Sequence, residues 1–130
     1  MGADSVDGIV GLGQVSLHIR DTERATRFFE QTLGLRHLYT SGDLVFFDCG
    51  GVRLCLQRTT QEKWRPGSIL YFRVADIDAR HAELVERGVA FEAPPHLVHR
   101  HDSGVEEWMA FFPDSEGNRL ALMSEVGAAA

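Results

Sequence analysis

The sequence has little of what would carry it to a membrane, a nucleic acid or an oxidising compartment. No apolar run approaches the roughly 20 residues that span a bilayer. Positive charge is scarce: 13 Lys and Arg stand against 19 Asp and Glu, and the net charge of −6 offers no attraction to a polyanion. Only two cysteines occur, Cys49 and Cys55, six positions apart around an expected hairpin. They make no disulfide framework and suit a reducing interior. The opening MGADSVDGIVG lacks the basic and apolar regions of a signal peptide, and Val6 does not suit the myristoylation pattern. The expectation is a cytoplasmic protein with neither nucleic acid nor membrane as partner.

What is present is a pattern written twice. GQVSLHIRD, an amphipathic stretch closing on Gly34, and FFDCGGVRLCL return as GSILYFRVAD, a second stretch closing on Gly88, and FFPDSEGNRLAL. Asp21 corresponds to Asp76, Phe46-Phe47 to Phe111-Phe112, and Arg53-Leu54 to Arg119-Leu120. Each half is too small to bury a core alone, so the expectation is one domain over 11–126 made of two fused modules. The boundaries read as module one at 11–58, a polar linker TTQEKWRPG at 59–67, and module two at 68–126. The ends, 1–10 and 127–130, read as frayed tails.

Within each module the order reads strand, helix, then three strands. Gln14–Arg20 alternates as a strand, Asp21 caps a helix striped by Ala25, Phe28, Phe29 and Leu33, and Gly34 closes it. Strands are expected at 35–40, 43–48 and 52–58, with Gly50-Gly51 as a hairpin turn. In the second half a strand at 68–74 precedes a helix capped by Asp76 and striped by Ile77, His81, Leu84 and Val85. His81 there reads as a packing residue. Further strands are expected near 89–92, 106–112 and 119–124. The halves differ in one place: Gly34 to Phe46 is 12 positions and Gly88 to Phe111 is 23. The 11 extra residues fall in EAPPHLVHRHDSGVE, which holds three of the six histidines.

HIRD with ATRFFEQTLGL at one end and FFPDSEGNRLALM at the other resemble the vicinal oxygen chelate superfamily, which includes glyoxalase I, bleomycin-resistance proteins and extradiol dioxygenases. The resemblance covers about residues 11–125. It implies an α+β fold of two tandem βαβββ modules whose curved sheets form a cleft, commonly in a homodimer. It also implies four strand positions for a divalent metal, which fall here on Gln14, Cys55, Ile69 and Ala121. Ile and Ala carry no donor atom, so the expectation is no metal and no other cofactor. A divalent ion is the lesser alternative.

Alternation places Gln14, Ser16 and His18 on one strand face with Cys55 and Gln57 beside them. Ile69, Tyr71 and Arg73, then Trp108, then Ala121 and Met123, are expected to line the same cleft. Apolar surface with a few polar groups suits a small organic ligand, while the competing reading is that these side chains fill a closed core. Cys55 reads as an inert buried thiol or as a nucleophile. His96, His99, His101 and Asp102 form either a solvated loop, a lid over the cleft, or a relocated metal site. Asp114, Glu116, Gly117 and Asn118 read as turn residues. The leading expectation is a metal-free protein that binds or sequesters a metabolite or drug. The alternatives are a lyase, epimerase or dioxygenase-like enzyme with a reorganised site, with histidine as general base, and a ligand-free partner domain.

Overall fold

A computed structural model describes residues 8–127, so the expected tails lie outside the described residues except for 8–10 and 127. The elements follow in the order β1 (Gln14–Ile19), α1 (Thr22–Arg27), β2 (Arg36–Ser41), β3 (Leu44–Cys49), β4 (Val52–Arg58), β5 (Leu70–Arg73), α2 (Ile77–Glu86), β6 (His96–Arg100), β7 (Glu106–Pro113) and β8 (Arg119–Val126). They build two four-stranded sheets, ordered β1-β4-β3-β2 and β5-β8-β7-β6. In each, the first strand runs parallel to the last and the other pairs are antiparallel. This is the α+β arrangement of two βαβββ units. None of the described helices is long and apolar enough to cross a membrane.

The helix boundaries are set by local chemistry. Asp21 and Asp76 are both extended at φ −126°, and each carboxylate accepts from the N–H three residues on, Arg24 or Ala79, at 3.0 Å. Such caps contribute about 1 kcal/mol each. Gly34 and Gly88 end the helical segments at φ 80° and 92°, a left-handed conformation open to glycine without strain. One feature has no signal in the sequence. After Arg27 the first helix widens into a π-turn, Phe28–Thr32, with Leu33 N–H donating to Phe28 C=O at 2.9 Å.

Alternation along the strands then sorts the side chains. Leu17, Ile19, Phe47, Leu54 and Leu56 of the first unit share one buried cluster with Ile77, Leu84, Phe112, Leu120 and Leu122 of the second. The helix-bearing faces of both sheets are thus fused into a single core, which leaves the opposite faces turned outward.

Three sequence expectations are corrected. Val85 is 48% exposed, because the apolar stripe of α2 is carried by Ile77 and Leu84 and runs out before the last turn. No strand forms at 89–92; Glu92 N–H makes a single bond to Phe111 C=O at 2.8 Å. The fourth-in-order strand of the second unit is instead β6, inside the histidine-bearing insert expected to be a loop. Pro94-Pro95 offers no backbone N–H to a ladder, so pairing begins only after the two prolines.

The units are joined by more than apolar packing. Glu116, 1% exposed in the β7–β8 turn, reaches the end of β1 and the start of α1. Its carboxylate accepts from Arg20 N–H (2.8 Å), Asp21 N–H (2.9 Å), Arg24 Nε (2.6 Å) and Arg24 Nη2 (3.0 Å). Asn118 Nδ2 donates to His18 C=O at 2.9 Å from the same turn. The expected linker is also engaged: Trp64 Nε1 donates to His18 C=O at 3.0 Å, and the Arg20 guanidinium lies 4.0 Å from the Trp64 ring.

Candidate functional site

On the outward face of the first sheet, β1 presents Gln14, Ser16 and His18, all exposed, and β4 presents Arg53 and Gln57. Cys55 shares this face but is buried, between Ser16 on β1 and Phe46 on β3. On the second sheet Tyr71 and Arg73 of β5 are exposed, Met123 is half-buried, and Ala121 is buried beneath them. Ile69 is half-buried just before β5. The two registers repeat each other: Ser16 lies opposite Cys55 and Phe46 opposite Cys55, as Tyr71 lies opposite Ala121 and Phe111 opposite Ala121.

Trp108 does not belong with these residues. It lies opposite Leu97 and the buried Ser124 and packs against the common core, so it sits on the helix-bearing face. Its indole N–H donates to Glu106 at 3.0 Å. The aromatic side chain on the outward face of β7 is Phe111, with Met109 beside it. Tyr71 meets Phe111 edge-on at 5.9 Å, and Met109 lies opposite Met123.

The histidines of β6 lie along this same face. His96 stacks at 6.3 Å on Phe111, His99 lies opposite Glu107, and the His99 and His101 rings meet edge-on at 4.5 Å. His101 Nε2 is 2.6 Å from the Glu107 carboxylate. Asp102 is exposed in the β6–β7 turn. His81, by contrast, packs at 4.5 Å on Phe91 beside the core.

The four positions that the fold family would give to a metal ion are a poor donor set. Ile69 and Ala121 have no donor atom, and the Gln14 carbonyl oxygen already accepts from Arg53 Nε at 2.7 Å. Burial raises the Cys55 pKa above its usual 9.0 against the Ser16 hydrogen bond and the Arg53 charge, which keeps the thiol protonated at neutral pH. A divalent ion does not fit these residues. Among the described residues, no three His, Cys, Asp or Glu side chains converge on a metal-sized point elsewhere. The Cys55 chemistry can be checked directly. With a disulfide reagent at pH 7.5, native Cys55 is expected to react at least ~10-fold more slowly than the unfolded chain; equal rates would show an activated thiol.

A large cavity lies elsewhere. About 1100 Å³ opens at the seam between the units, lined by Val15, Leu35, Val52 and Leu54 on one side and by Leu70, Phe72 and Leu84 on the other. Of the expected ligand-facing residues only Ile69, Tyr71 and Arg73 reach it. The residues that the sequence reading missed on the outward faces are Tyr39, Phe46, Arg53, Met109, Phe111 and Arg119. The duplicated Phe-Phe and Arg-Leu pairs were the signal that could have found four of them.

Comparison with known proteins agrees with this architecture. The family model described as Glyoxalase/Bleomycin resistance protein/Dioxygenase superfamily matches residues 11–122, and the chain belongs to that superfamily. Among solved structures it is similar to TnmS3, an antibiotic binding protein from Streptomyces sp. CB03234, at 28% identity and TM-score 0.74, covering 92% of this chain and 98% of that one. It is also similar in fold to a lactoylglutathione lyase from Agrobacterium tumefaciens, at 20% identity and TM-score 0.70, over 91% and 96% of the two chains. An integron cassette protein from V. cholerae shares the fold at 19% identity and TM-score 0.72, over 92% and 98%. No curated protein matches the sequence.

Proposed function

We propose that the protein binds a small, partly aromatic molecule on the outward faces of its two sheets and sequesters it without a metal ion. The observation that carries this reading is the surface around Tyr71, which is 45% exposed and edge-on to Phe111, with Met109 and Met123 alongside. Aromatic and thioether groups left in water gain on covering a flat apolar ligand. The broken donor set supports the metal-free part. The likeness at 28% identity to an antibiotic binding protein supports binding as the purpose. Two copies are part of the reading, because Ile9, Val10 and Leu12 are exposed apolar residues and Leu12 borders the seam cavity. The free thiols Cys49 and Cys55 suit a cytoplasmic setting.

The test is a thermal-shift screen of metabolites and antibiotics, followed by chromatography of each stabilising compound. A ligand at 100 times its Kd adds about 2.7 kcal/mol of stability. Stabilisation with the compound recovered unchanged is the expected result. Conversion to product, or stoichiometric metal in protein purified without a histidine tag, would overturn it.

One observation favours the enzymatic alternative. The His101–Glu107 pair at 2.6 Å resembles a carboxylate-oriented imidazole, the arrangement of a general base. If product appears in that screen, loss of turnover in His101→Gln would assign the base.

A further inference from the structure

The duplication supplies an internal comparison. Arg53 and Arg119 are equivalent positions at the head of the last strand in each unit, and both guanidinium groups lie over the phenylalanine of the neighbouring strand. Arg53 Cζ is 4.8 Å from the Phe46 ring centre, and Arg119 Cζ is 4.1 Å from that of Phe111. In the second unit the charge is answered from within the chain. Glu92 takes Arg119 Nε at 2.6 Å and Nη2 at 2.7 Å, the two-pronged match of a carboxylate to a guanidinium.

In the first unit the same group has been left open. Arg53 Nε donates to Gln14 Oε1 at 2.7 Å and Nη1 to Tyr39 Oη at 3.2 Å, both neutral acceptors. Among the described residues no carboxylate lies within ion-pair distance of it. Asp48 sits opposite Arg53 on β3, but its Oδ1 accepts from Gly51 N–H at 3.3 Å. Counted from the helix-closing glycines, the position of Glu92 is taken by Leu38. A guanidinium has five N–H donors, so about three remain without a protein partner.

We propose that Arg53 is the anchor for a carboxylate on the bound ligand, which makes the ligand class an aromatic carboxylate. This inference rests on the small-molecule reading above. The side chain is already oriented by the Phe46 ring and two hydrogen bonds, so little rotamer freedom is lost when an anion docks. Gln14 holds the Nε–H and Tyr39 one N–H of Nη1, so the end-on Nη1/Nη2 edge of the planar fork is what remains for a carboxylate, where Glu92 takes the Nε/Nη2 edge at the sister position. Beside it, Tyr39 lies 4.5 Å from Phe46 at an interplanar angle of 30°, extending a flat surface on which the ligand ring rests. An arginine here also places a fixed cation beside Gln14, where the family fold would have drawn on a metal.

The test uses matched probes, 2-naphthoate against 2-naphthylmethanol and indole-3-acetate against tryptophol, with binding followed by calorimetry. In the unaltered protein each acid is expected to bind at least about 10-fold more tightly than its alcohol, the range of a hydrogen bond to a charged group. Arg53→Gln is expected to erase that preference while leaving alcohol binding within about twofold. Arg53→Lys is expected to recover only part of it, since the charge stays and the fork is lost. Arg119→Gln is expected to keep the preference. Equal binding of acid and alcohol to the unaltered protein, or an unchanged preference in Arg53→Gln, would overturn the assignment while leaving the small-molecule reading intact. Binding of neither pair would overturn both.

Discussion

Replacing Glu116 with alanine is expected to lower the thermal midpoint by about 10–20 °C, measured by circular dichroism at pH 7. Arg24 is half-exposed and can turn to water, so most of the cost lies in the Arg20 and Asp21 N–H groups left without their acceptor, about 1–3 kcal/mol each. A chain of this length shifts by roughly 3–5 °C for each kcal/mol. The loss is large because Glu116 serves both units. It neutralises Arg24, accepts from Ser115 Oγ at 3.0 Å, and takes the Arg20 and Asp21 N–H groups at the entrance to α1. Without it these N–H groups stay oriented toward an empty space. Glu116→Gln is expected to fall between the two, since the amide keeps one acceptor and the volume. A shift below about 3 °C for the alanine variant would show that the apolar core alone holds the units together.

The same residue sets an acid dependence. Burial alone would raise its pKa, but the Arg24 hydrogen bond and the Arg20, Asp21 and Ser115 donors outweigh it and lower it from 4.5 to about 2. A carboxylate with a depressed pKa contributes stability that is complete above about pH 4.5 and is lost as the pH falls toward 2. Asp114, in the same turn, has the opposite sign: burial raises its pKa above 3.8, so protonating it relieves a cost. The acid loss in the unaltered protein is therefore shallower than Glu116 alone would give, and Glu116→Gln is expected to remove most of what remains.

The second large effect separates two adjacent residues. Phe112→Ala is expected to lower stability in urea by about 3–5 kcal/mol, because the ring is fully buried against Phe91 at 5.0 Å. Phe111→Ala is expected to cost about 1 kcal/mol, since its half-buried ring faces outward under Arg119 and beside Tyr71. The binding readout should reverse the order, with Phe111→Ala weakening ligand capture and Phe112→Ala affecting it only through unfolding. Similar stability losses for both would mean that the outward face is closed in solution.

The contrast between these neighbours explains what was legible in the sequence. Caps, closing glycines and the Gly50-Gly51 turn are decided by a few adjacent residues, and all of them stand where the pattern placed them. Strand parity is less forgiving. Trp108 and Phe111 are three positions apart, so in a regular strand they cannot share a face, and the doublet Phe111-Phe112 hides which member points inward. The insert was misread because Pro94-Pro95 suppresses pairing locally and the strand resumes just beyond. Glu116 was out of reach for a different reason. PDSEGN reads correctly as a turn, but its partner lies 92 residues away at Arg24, and no local pattern reports that distance. Arg53 was visible as half of a repeated pair, whereas the neutrality of its partners depends on the strand register that brings Gln14 and Tyr39 to it.

The duplicated halves also leave the molecule mechanically lopsided. At one end of the seam the β7–β8 turn pins His18, Arg20, Asp21 and Arg24. At the other, the Asp48–Val52 hairpin borders open space of about 1100 Å³ instead of an equivalent clasp. Beside that space a single bond among the described residues crosses between the units, Arg87 Nη1 donating to Thr32 C=O at 2.7 Å, against the several that Glu116 gathers at the clasped end. His18 lies at the clasped end, while Arg53 follows directly on the hairpin at the open end. One end of the seam is thus fastened by hydrogen bonds from a single turn to β1 and α1, whereas the end that carries Arg53 borders open space.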